Sequence, residues 1–400
     1  KQTTLRYDYL LGGYIKSVQL LEKLKPKTDD GRKLTLVTKG EDDKTGDIYV
    51  LASIKPKIGR NMAEKNPRPY DLYYIKFNKE LDILSETVIP FDAPQTLLAA
   101  EFINKIDEED PNNPGIEFAS IVLTSASEEK KENPYITYLR LDEKTKIVHR
   151  ETITAQEPIW RVDDVIYNRP TNEVFIMGPA TENIGQLAKD KFKAFQLWKI
   201  NSEGKTAYNT STKIDEFEAK LITPPSQKKS PAYNGKKFSM KTNLVAENGE
   251  LFIGGQNYRI DQSGKDKGTR NYKDILGFHF DANGHLKSQY GVDTKETNKV
   301  ANDNAAPQEF IEGRGGNIFW LIREIKGINP KYLKLLTYPR LAKIDTKEGK
   351  ISDLMTLGKG EGYYLDPNYP FLNTDKGNRV VFFGSNKSGK ELWFCRVLLK

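Results

Sequence analysis

Residues 277–286 read Gly-Phe-His-Phe-Asp-Ala-Asn-Gly-His-Leu. An apolar run ends at an Asp, passes an Asn-Gly pair and returns to an apolar residue, which is the pattern of a β-hairpin. Asn and Gly are the residues that tolerate positive φ in a tight turn. The stretch therefore predicts two antiparallel strands joined at Asn283-Gly284.

Variants of the first five residues recur along the chain. Five further copies lie at 74–78, 138–142, 197–201, 341–345 and 394–398, so that successive copies begin 53 to 80 residues apart. A period of this length in an all-β sequence is typical of stacked sheets, most economically the blades of a propeller. An open pair of sheets, or a ring of five or seven blades, is the alternative interpretation.

A second hairpin precedes most copies of this pattern. Its turns are predicted at Asn248-Gly249, Gly315-Gly316 and Lys376-Gly377. Two hairpins per repeat give the four antiparallel strands of one blade. We therefore predict a single all-β domain over 1–400, a six-bladed β-propeller with an inter-blade insert at 216–239 and blades at about 33–93, 94–157, 158–215, 240–303, 304–358 and 359–400.

The sixth predicted blade ends at its third strand, residues 392–398. The apolar and aromatic segment 4–11 belongs to no other repeat. We predict that this N-terminal strand supplies the missing outer strand, so that residues 1–20 complete the last blade and close the ring. Closure would leave no open edge between the first and last blades.

The composition fits a charged, globular chain with a sizeable β core. Hydrophobic residues make up 37% and aromatic residues 10%, while 29% are charged. No stretch approaches the ~18 apolar residues of a membrane span. The net charge of +7 favours acidic partners, although a Lys-rich solvated surface gives the same balance. No recognised nucleic-acid motif is present, so we predict a protein partner and no nucleic acid.

Cys395 is the only cysteine and lies in an apolar strand pattern, so no disulfide framework exists. The sequence opens at Lys-Gln-Thr-Thr without a methionine. We interpret this start as the processed end of an exported protein, periplasmic or secreted. A cytoplasmic protein shortened at its N-terminus is the alternative.

No motif for a reaction, metal or cofactor is found. The three histidines, His149, His279 and His285, have no metal-ligand spacing around them. The Asp and Asn residues that end the repeats directly precede turns, where such side chains bond nearby backbone N–H groups; they are Asn78, Asp142, Asn201, Asp281 and Asp345. We therefore predict no catalytic residues, no metal and no cofactor.

The links between second and third strands are the long ones, predicted at 55–70, 125–134, 179–193, 255–273 and 324–337. In an up-and-down blade they share one face, and loops on a rigid scaffold are where binding usually occurs. Two of them are rich in cations, which makes this face a candidate docking surface for an acidic partner. The candidate docking residues are Lys55, Lys57, Arg60, Arg68, Arg259, Lys265, Lys267 and Arg270.

Three C-terminal segments carry a family resemblance. They are 273–284 (Lys-Asp-Ile-Leu-Gly-Phe-His-Phe-Asp-Ala-Asn-Gly), 338–345 (Tyr-Pro-Arg-Leu-Ala-Lys-Ile-Asp) and 380–397 (Val-Val-Phe-Phe-Gly-Ser-Asn-Lys-Ser-Gly-Lys-Glu-Leu-Trp-Phe-Cys-Arg-Val). They resemble exported propeller-like proteins of Bacteroidetes. One envelope role that this resemblance implies is the periplasmic plug-type subunit of the type 9 outer-membrane secretion translocon. The resemblance supplies no catalytic residues.

Two functions follow from these patterns. The first is a non-enzymatic protein-interaction module of the bacterial cell envelope, docking through its elaborated face onto an outer-membrane or envelope complex. The alternative is a secreted propeller enzyme or binding protein that acts on glycans at the mouth of the central tunnel. A pocket there with paired carboxylates would favour the alternative.

Overall fold

The computed structural model of the chain describes the following residues: 5–11, 14–20, 32–54, 71–91, 95–104, 115–125, 135–154, 158–182, 186, 192–261, 268–329, 331, 333–358, 360, 362–374 and 379–399. The chain forms two compact units. The first comprises Lys1–Gln156 with Arg169–Asn172 and Ser202–Lys205, and the second comprises Glu157–Asn168, Glu173–Asn201 and Thr206–Lys400.

The first unit holds a hairpin and two antiparallel sheets. The hairpin consists of β1 (Leu5–Leu11) and β2 (Tyr14–Leu20). Sheet 1 consists of β3 (Leu34–Glu41), β4 (Ile48–Ile54), β5 (Asp71–Phe77) and β6 (Ile83–Ile89). Sheet 2 consists of β7 (Gln95–Asn104), β8 (Ile116–Ser125), β9 (Tyr135–Asp142) and β10 (Ile147–Thr154). Strands pair with their neighbours in chain order.

The second unit begins with two five-stranded sheets. Sheet 3 consists of β11 (Ile159–Trp160), β12 (Asp164–Asn168), β13 (Glu173–Thr181), β14 (Ala194–Ile200) and β15 (Thr206–Lys213). Sheet 4 consists of β16 (Leu221–Ile222), β17 (Lys237–Val245), β18 (Leu251–Ile260), β19 (Arg270–Phe280) and β20 (Leu286–Val292). The predicted insert contributes α1 (Ile214–Ala219) and β16, which pairs in parallel with β20.

Two more sheets follow in the same unit. Sheet 5 consists of β21 (Gln308–Glu312), β22 (Ile318–Ile328), β23 (Leu335–Asp345), β24 (Lys350–Ile351) and β25 (Met355–Thr356). Sheet 6 consists of β26 (Tyr363–Leu365), β27 (Phe371–Thr374), β28 (Arg379–Asn386) and β29 (Leu392–Leu398). A short helix, α2 (Lys299–Asp303), precedes sheet 5. The predicted fold class is confirmed: the chain is all-β and forms six consecutive sheets of mainly antiparallel strands.

The copies of the recurring pattern lie on β5, β9, β14, β19, β23 and β29, each of which pairs with the strand before it in the chain. The Asp or Asn that ends the pattern bonds the following turn. The Oδ1 atom of Asp281 accepts from the backbone N–H groups of Asn283 and His285, both at 2.9 Å. Asn78, Asp142 and Asp345 make equivalent bonds. The structural interpretation of these four residues is therefore confirmed.

Aromatic side chains fill the space between neighbouring sheets within each unit. Sheets 1 and 2 share a core with Tyr74 and Phe102, whose rings are 5.9 Å apart. Sheets 3 and 4 share Phe195 and Phe278, at 6.0 Å. Full burial of each such side chain contributes roughly 1.5–3 kcal/mol, so the recurring apolar positions supply most of the packing energy.

Sheet 5 carries a buried ion pair. Arg340 Nη1 lies 2.8 Å from Glu324 Oε2, and the two side chains are 3% and 2% exposed. The other carboxylate oxygen of Glu324 accepts from the backbone N–H groups of Lys295 and Glu296, at 2.8 and 3.2 Å. The pair therefore ties the segment after β20 to the second and third strands of sheet 5.

The predicted closing strand pairs locally instead. β1 pairs with β2 over its full length, from Leu5 opposite Leu20 to Leu11 opposite Tyr14. In the pairing of the described strands, β29 is joined to β28. The residues between β1 and β2 are Gly12 and Gly13, a hairpin signal, and so short a connection costs little loop-closure entropy. Closure of the ring by residues 1–20 stays a prediction.

Two of the predicted long links are shorter than expected. The sequence placed 255–273 in a loop, but β18 continues to Ile260 and β19 begins at Arg270. The predicted link 324–337 is likewise mostly strand, because β22 runs to Ile328. We call this end of each sheet, where the strand with the recurring pattern is joined to the strand before it, the loop end. The opposite end, with turns such as Asn283-Gly284, is the turn end.

None of the helices in the described part of the chain is long and apolar enough to cross a membrane.

Candidate functional site

A β-bulge at the loop end of sheet 3 brings three polar residues, Arg161, Asp163 and Asp164, to one cleft. Trp160 pairs with Ala180 and Asp164 pairs with Met177, so residues 161–163 oppose only two residues of β13. The backbone N–H of Asp163 donates to the carbonyl of Met177 at 2.9 Å. Bulges of this kind redirect side chains and are common beside active sites.

Gly178 makes the bulge sterically possible. A Cβ atom at this position would lie 2.0 Å from the carbonyl oxygen of Arg161 and 2.9 Å from the amide nitrogen of Asp163. Both atoms belong to the backbone, so neither can move aside cheaply. Glycine is therefore required where β13 passes under the bulge, because only a residue without Cβ allows this approach.

Arg161 holds Asp163 in place within the bulge. Its Nε and Nη2 atoms donate to the two carboxylate oxygens of Asp163 at 2.7 and 3.3 Å, a forked geometry that fixes both groups. The guanidinium also lies 5.0 Å from the ring centroid of Phe192. Both side chains remain about one-third exposed, so the pair orients the carboxylate more than it stabilises the fold.

Asp164 follows directly and has a perturbed acidity. Burial, with a smaller contribution from the neighbouring carboxylate of Asp163, raises the pKa of Asp164 to about 6, although Lys241 opposes the shift. Adjacent strand residues normally face opposite sides. Here the bulge lets Asp163 and Asp164 line the same cleft. The result is a pair of carboxyl groups, one of which exchanges its proton near neutral pH.

Sheet 4 forms the opposite wall of the cleft. Tyr258 and Tyr272 are cross-strand partners with ring centroids 5.7 Å apart. The Arg270 guanidinium lies 4.9 Å from the Tyr258 ring centroid, and a hydrogen bond with the Tyr272 side chain raises the pKa of Arg270. A Cβ on Gly255 would lie 2.4 Å from the Ser239 carbonyl oxygen, so this glycine allows β17 to approach β18.

The walls enclose a cleft of about 260 Å³, which we call the loop-end cleft. It is lined by Arg161, Asp163, Asp164, Phe238, Ser239, Met240, Tyr258 and Arg270. A second, mostly apolar space of about 10 Å³, lined also by Met177 and Phe195, adjoins it and shares Asp163 and Asp164. That space holds about one water, so the cleft itself is the volume available to a ligand.

Only part of the predicted docking surface can be placed. Lys55, Lys57, Arg60, Arg68, Lys265 and Lys267 lie outside the described residues. Arg259 is exposed on β18, with its Nε 3.5 Å from Asp261 Oδ1. Arg270 stands instead in the wall of the loop-end cleft. The docking role of all eight residues stays a prediction.

Sequence reasoning did not find Arg161, Asp163 and Asp164. Their stretch reads Ile-Trp-Arg-Val-Asp-Asp-Val (159–165). The adjacent acidic residues after an apolar pair were the available signal, because two charges inside a strand pattern are unusual unless a bulge redirects one of them. The Gly-Pro step at 178–179 was the second signal, since Pro rarely sits inside a paired strand.

A second cleft, of about 840 Å³, lies at the turn end of sheets 4 and 5. Here Glu250 binds His279 Nε2 at 3.0 Å and Lys287 Nζ at 2.6 Å. Burial lowers the pKa of His279, and its ring stacks on Phe252 at 4.1 Å. Since one carboxylate binds both His279 and Lys287, the cluster joins β18, β19 and β20. Within the described residues, no group of three or more potential ligands could hold a metal ion.

No family model matches the chain, and no curated relative matches it. Among solved structures, the chain is similar to the polysaccharide lyase Uly1, with TM-score 0.41 and 10% identity over 99% of this chain and 85% of that one. It is also similar to a luciferin-regenerating enzyme, with TM-score 0.28 and 12% identity over 91% of each chain. A third is the cobalt-substituted ACO of Synechocystis, with TM-score 0.34 and 10% identity over 81% of this chain and 64% of that one.

These three proteins are named for different activities, and the chain spans less than two thirds of the Synechocystis protein. The functional conclusion therefore rests on the side chains of the loop-end cleft. The resemblance to exported Bacteroidetes proteins, the envelope location and the translocon role stay predictions.

Proposed function

We propose that the chain binds a glycan in the loop-end cleft and that Asp164 donates and accepts a proton there. One observation supports this function: paired carboxyl groups, Asp163 and Asp164, line one cleft at the elaborated end of the sheets. Sequence analysis singled out paired carboxylates, expected at the mouth of the central tunnel, as the feature that favours a glycan-acting protein over a docking module. The interaction-module interpretation, with its envelope partner, stays the alternative.

The two carboxyl groups differ in their surroundings, which suits different roles. Asp163 is ion-paired with Arg161 and stands as a fixed negative charge. Asp164, with its pKa raised to about 6 by burial, carries a proton part of the time near neutral pH. A general acid or base works best when its pKa lies near the working pH. One protonated and one ionised carboxyl group form the usual pair in glycoside hydrolysis.

The rest of the cleft suits a sugar ring. The surface of the cleft is polar, and Ser239 and the charged groups offer hydrogen-bond partners to the hydroxyl groups of the ring. The volume of about 260 Å³ suits one ring of a longer chain.

The test uses the whole protein against a panel of neutral and acidic oligosaccharides, with binding followed by calorimetry and turnover by release of new chain ends. Asp164→Asn removes the titrating group at nearly constant shape. We expect turnover to fall by roughly 10²–10⁴-fold, the usual contribution of a general acid or base. Binding should change much less, because Asn keeps the volume and polarity of the side chain.

Glu312→Gln is the matched control. Burial also raises the pKa of Glu312, but Glu312 lines the second cleft, at the turn end of sheets 4 and 5. This variant should bind and turn over the oligosaccharide as the parent does. Absence of binding to every member of the panel would contradict the proposed function, as would equal losses in the two variants.

A further inference from the structure

Arg270 is fixed in position before any ligand arrives. It is the first residue of β19, opposite Ile260, and its guanidinium lies 4.9 Å from the ring centroid of Tyr258 on the neighbouring strand. Its hydrogen bond with Tyr272 sets the rotation of the planar group. An arginine held this way loses little rotamer entropy when it binds a planar anion.

Among the described residues, Arg270 is the arginine of the loop-end cleft that forms no ion pair with a carboxylate. Arg161 is bound on both sides of its fork by Asp163. Arg259, near the cleft, lies 3.5 Å from Asp261. No described carboxylate forms an ion pair with Arg270, although its side chain is exposed in the cleft wall. Its unused N–H groups suit a carboxylate or a sulfate oxygen.

We propose that the ligand of the loop-end cleft is an acidic glycan, whose carboxylate or sulfate is bound by Arg270 while the same or the adjacent sugar unit faces Asp164. The proposal rests on the proposed function and adds the substrate class to it. Because both residues line one cleft of about 260 Å³, the anion and the reacting atom belong to one ring or to adjacent rings.

The charged groups around Asp164 favour binding of an anion when the pH is below the pKa of Asp164. Asp163 and Arg161 on sheet 3 compensate each other, while Lys241 and Arg270 on sheet 4 add positive charge beside the rings of Tyr272 and Tyr258. When Asp164 is protonated, the cleft therefore has a clear positive excess. Ionisation of Asp164 as the pH rises through about 6 reduces that excess, so affinity for an acidic ring should fall over this range.

The experiment measures the dissociation constants of three matched oligosaccharides for the parent protein and for variants. The probes are a galacturonate tetramer, a sulfated galactose tetramer and the neutral galactose tetramer. Arg270→Gln should weaken binding of the preferred acidic probe at least ~10-fold and leave the neutral probe unchanged. Arg270→Lys should restore only part of the affinity, because Lys lacks the planar fork. Arg396→Gln, an exposed arginine on β29, is the control.

The outcomes separate the substrate class from the function. Preference for the carboxylate or for the sulfate probe, lost in Arg270→Gln alone, supports the proposal and identifies the anion. Equal binding of neutral and acidic probes, unchanged in Arg270→Gln, overturns the acidic class and leaves the proposed function intact. Equal losses in Arg270→Gln and Arg396→Gln overturn it as well, since they indicate unspecific charge attraction. Failure of all three probes and of the wider panel contradicts both proposals.

Discussion

The raised pKa of Asp164 makes its proton available near neutral pH and reduces the stability of the fold there. Its pKa is raised by burial from 3.8 to about 6, so folding disfavours the charged form. The associated stability is present below the unfolded pKa and is lost as the pH rises through about 6. Functional groups are commonly held at such a cost, because a carboxyl group in water would not carry a proton at neutral pH.

Asp164→Asn should therefore stabilise the protein selectively at high pH. We expect the free energy of unfolding to rise by roughly 1–3 kcal/mol at about pH 8, and to change little at about pH 4, where the parent residue is itself largely protonated. Denaturant unfolding at the two pH values measures the difference. A gain of equal size at both would show that burial of the charge is not the cause.

Gly178 controls the same site without taking part in its chemistry. Gly178→Ala places Cβ against the carbonyl oxygen of Arg161, 2.0 Å away, and should cost ~1–3 kcal/mol through forced backbone movement. Glycan binding should weaken because the bulge carries both Arg161 and Asp163. Gly327→Ala is the control, since no atom lies within 4 Å of its added Cβ. Similar unfolding free energies for the two variants would exclude the steric explanation.

At the scale of strands, the sequence predicted the sheets better than the site. The recurring pattern marks one strand in every sheet because its apolar residues alternate and its Asp or Asn begins a turn. The ends of β18 and β19 were missed because Arg259, Arg270 and Asn271 resemble loop residues by composition. They extend the hairpin in cross-strand pairs, Arg259 with Asn271 and Arg270 with Ile260.

The cleft could not be predicted in the same way. Asp163 and Asp164 share it because of a bulge whose cause, Gly178, lies on the next strand. Arg270 joins them from another sheet. Periodicity describes one strand at a time, whereas this arrangement depends on which strands are packed together and in which register.

The buried pair in sheet 5 gives a prediction at the same scale. Arg340→Met should destabilise the protein by ~3–5 kcal/mol, because it leaves the Glu324 carboxylate buried without its cation. Adding Glu324→Leu should recover part of this loss, though not the bonds to the N–H groups of Lys295 and Glu296. Additive losses in the double variant, measured by denaturant unfolding, would show that the two side chains are not coupled.

At the scale of the whole molecule, net charge governs encounter with an acidic ligand. A charge of +7 attracts polyanions over about a Debye length, roughly 8 Å at physiological salt. Association with the acidic oligosaccharide should slow by roughly 10-fold or more between low and high salt, with a smaller change in dissociation. Stopped-flow fluorescence would measure both rates, and salt-independent association would contradict steering.

Two charge reversals localise this effect. Arg259→Glu at the loop end should slow association further, because Arg259 is exposed and directly follows Tyr258 of the cleft wall. Lys350→Glu, near the turn after β23 and paired with Glu348 at 2.8 Å, changes the net charge equally and should matter much less. Equal effects would indicate that total charge, and not its position at the loop end, sets the rate.

The glycine at position 178 also bears on how relatives of this chain can be recognised. Adjacent aspartates are common in any charged sequence and identify little by themselves. An Arg-x-Asp-Asp stretch followed in the next strand by Gly-Pro encodes both the bulge and the clearance that it needs. A relative that keeps the glycine but carries other residues at positions 161, 163 and 164 would share the cleft and bind a different ligand. Gly178 therefore marks common ancestry, whereas the residues at 161, 163 and 164 mark the chemistry of the ligand.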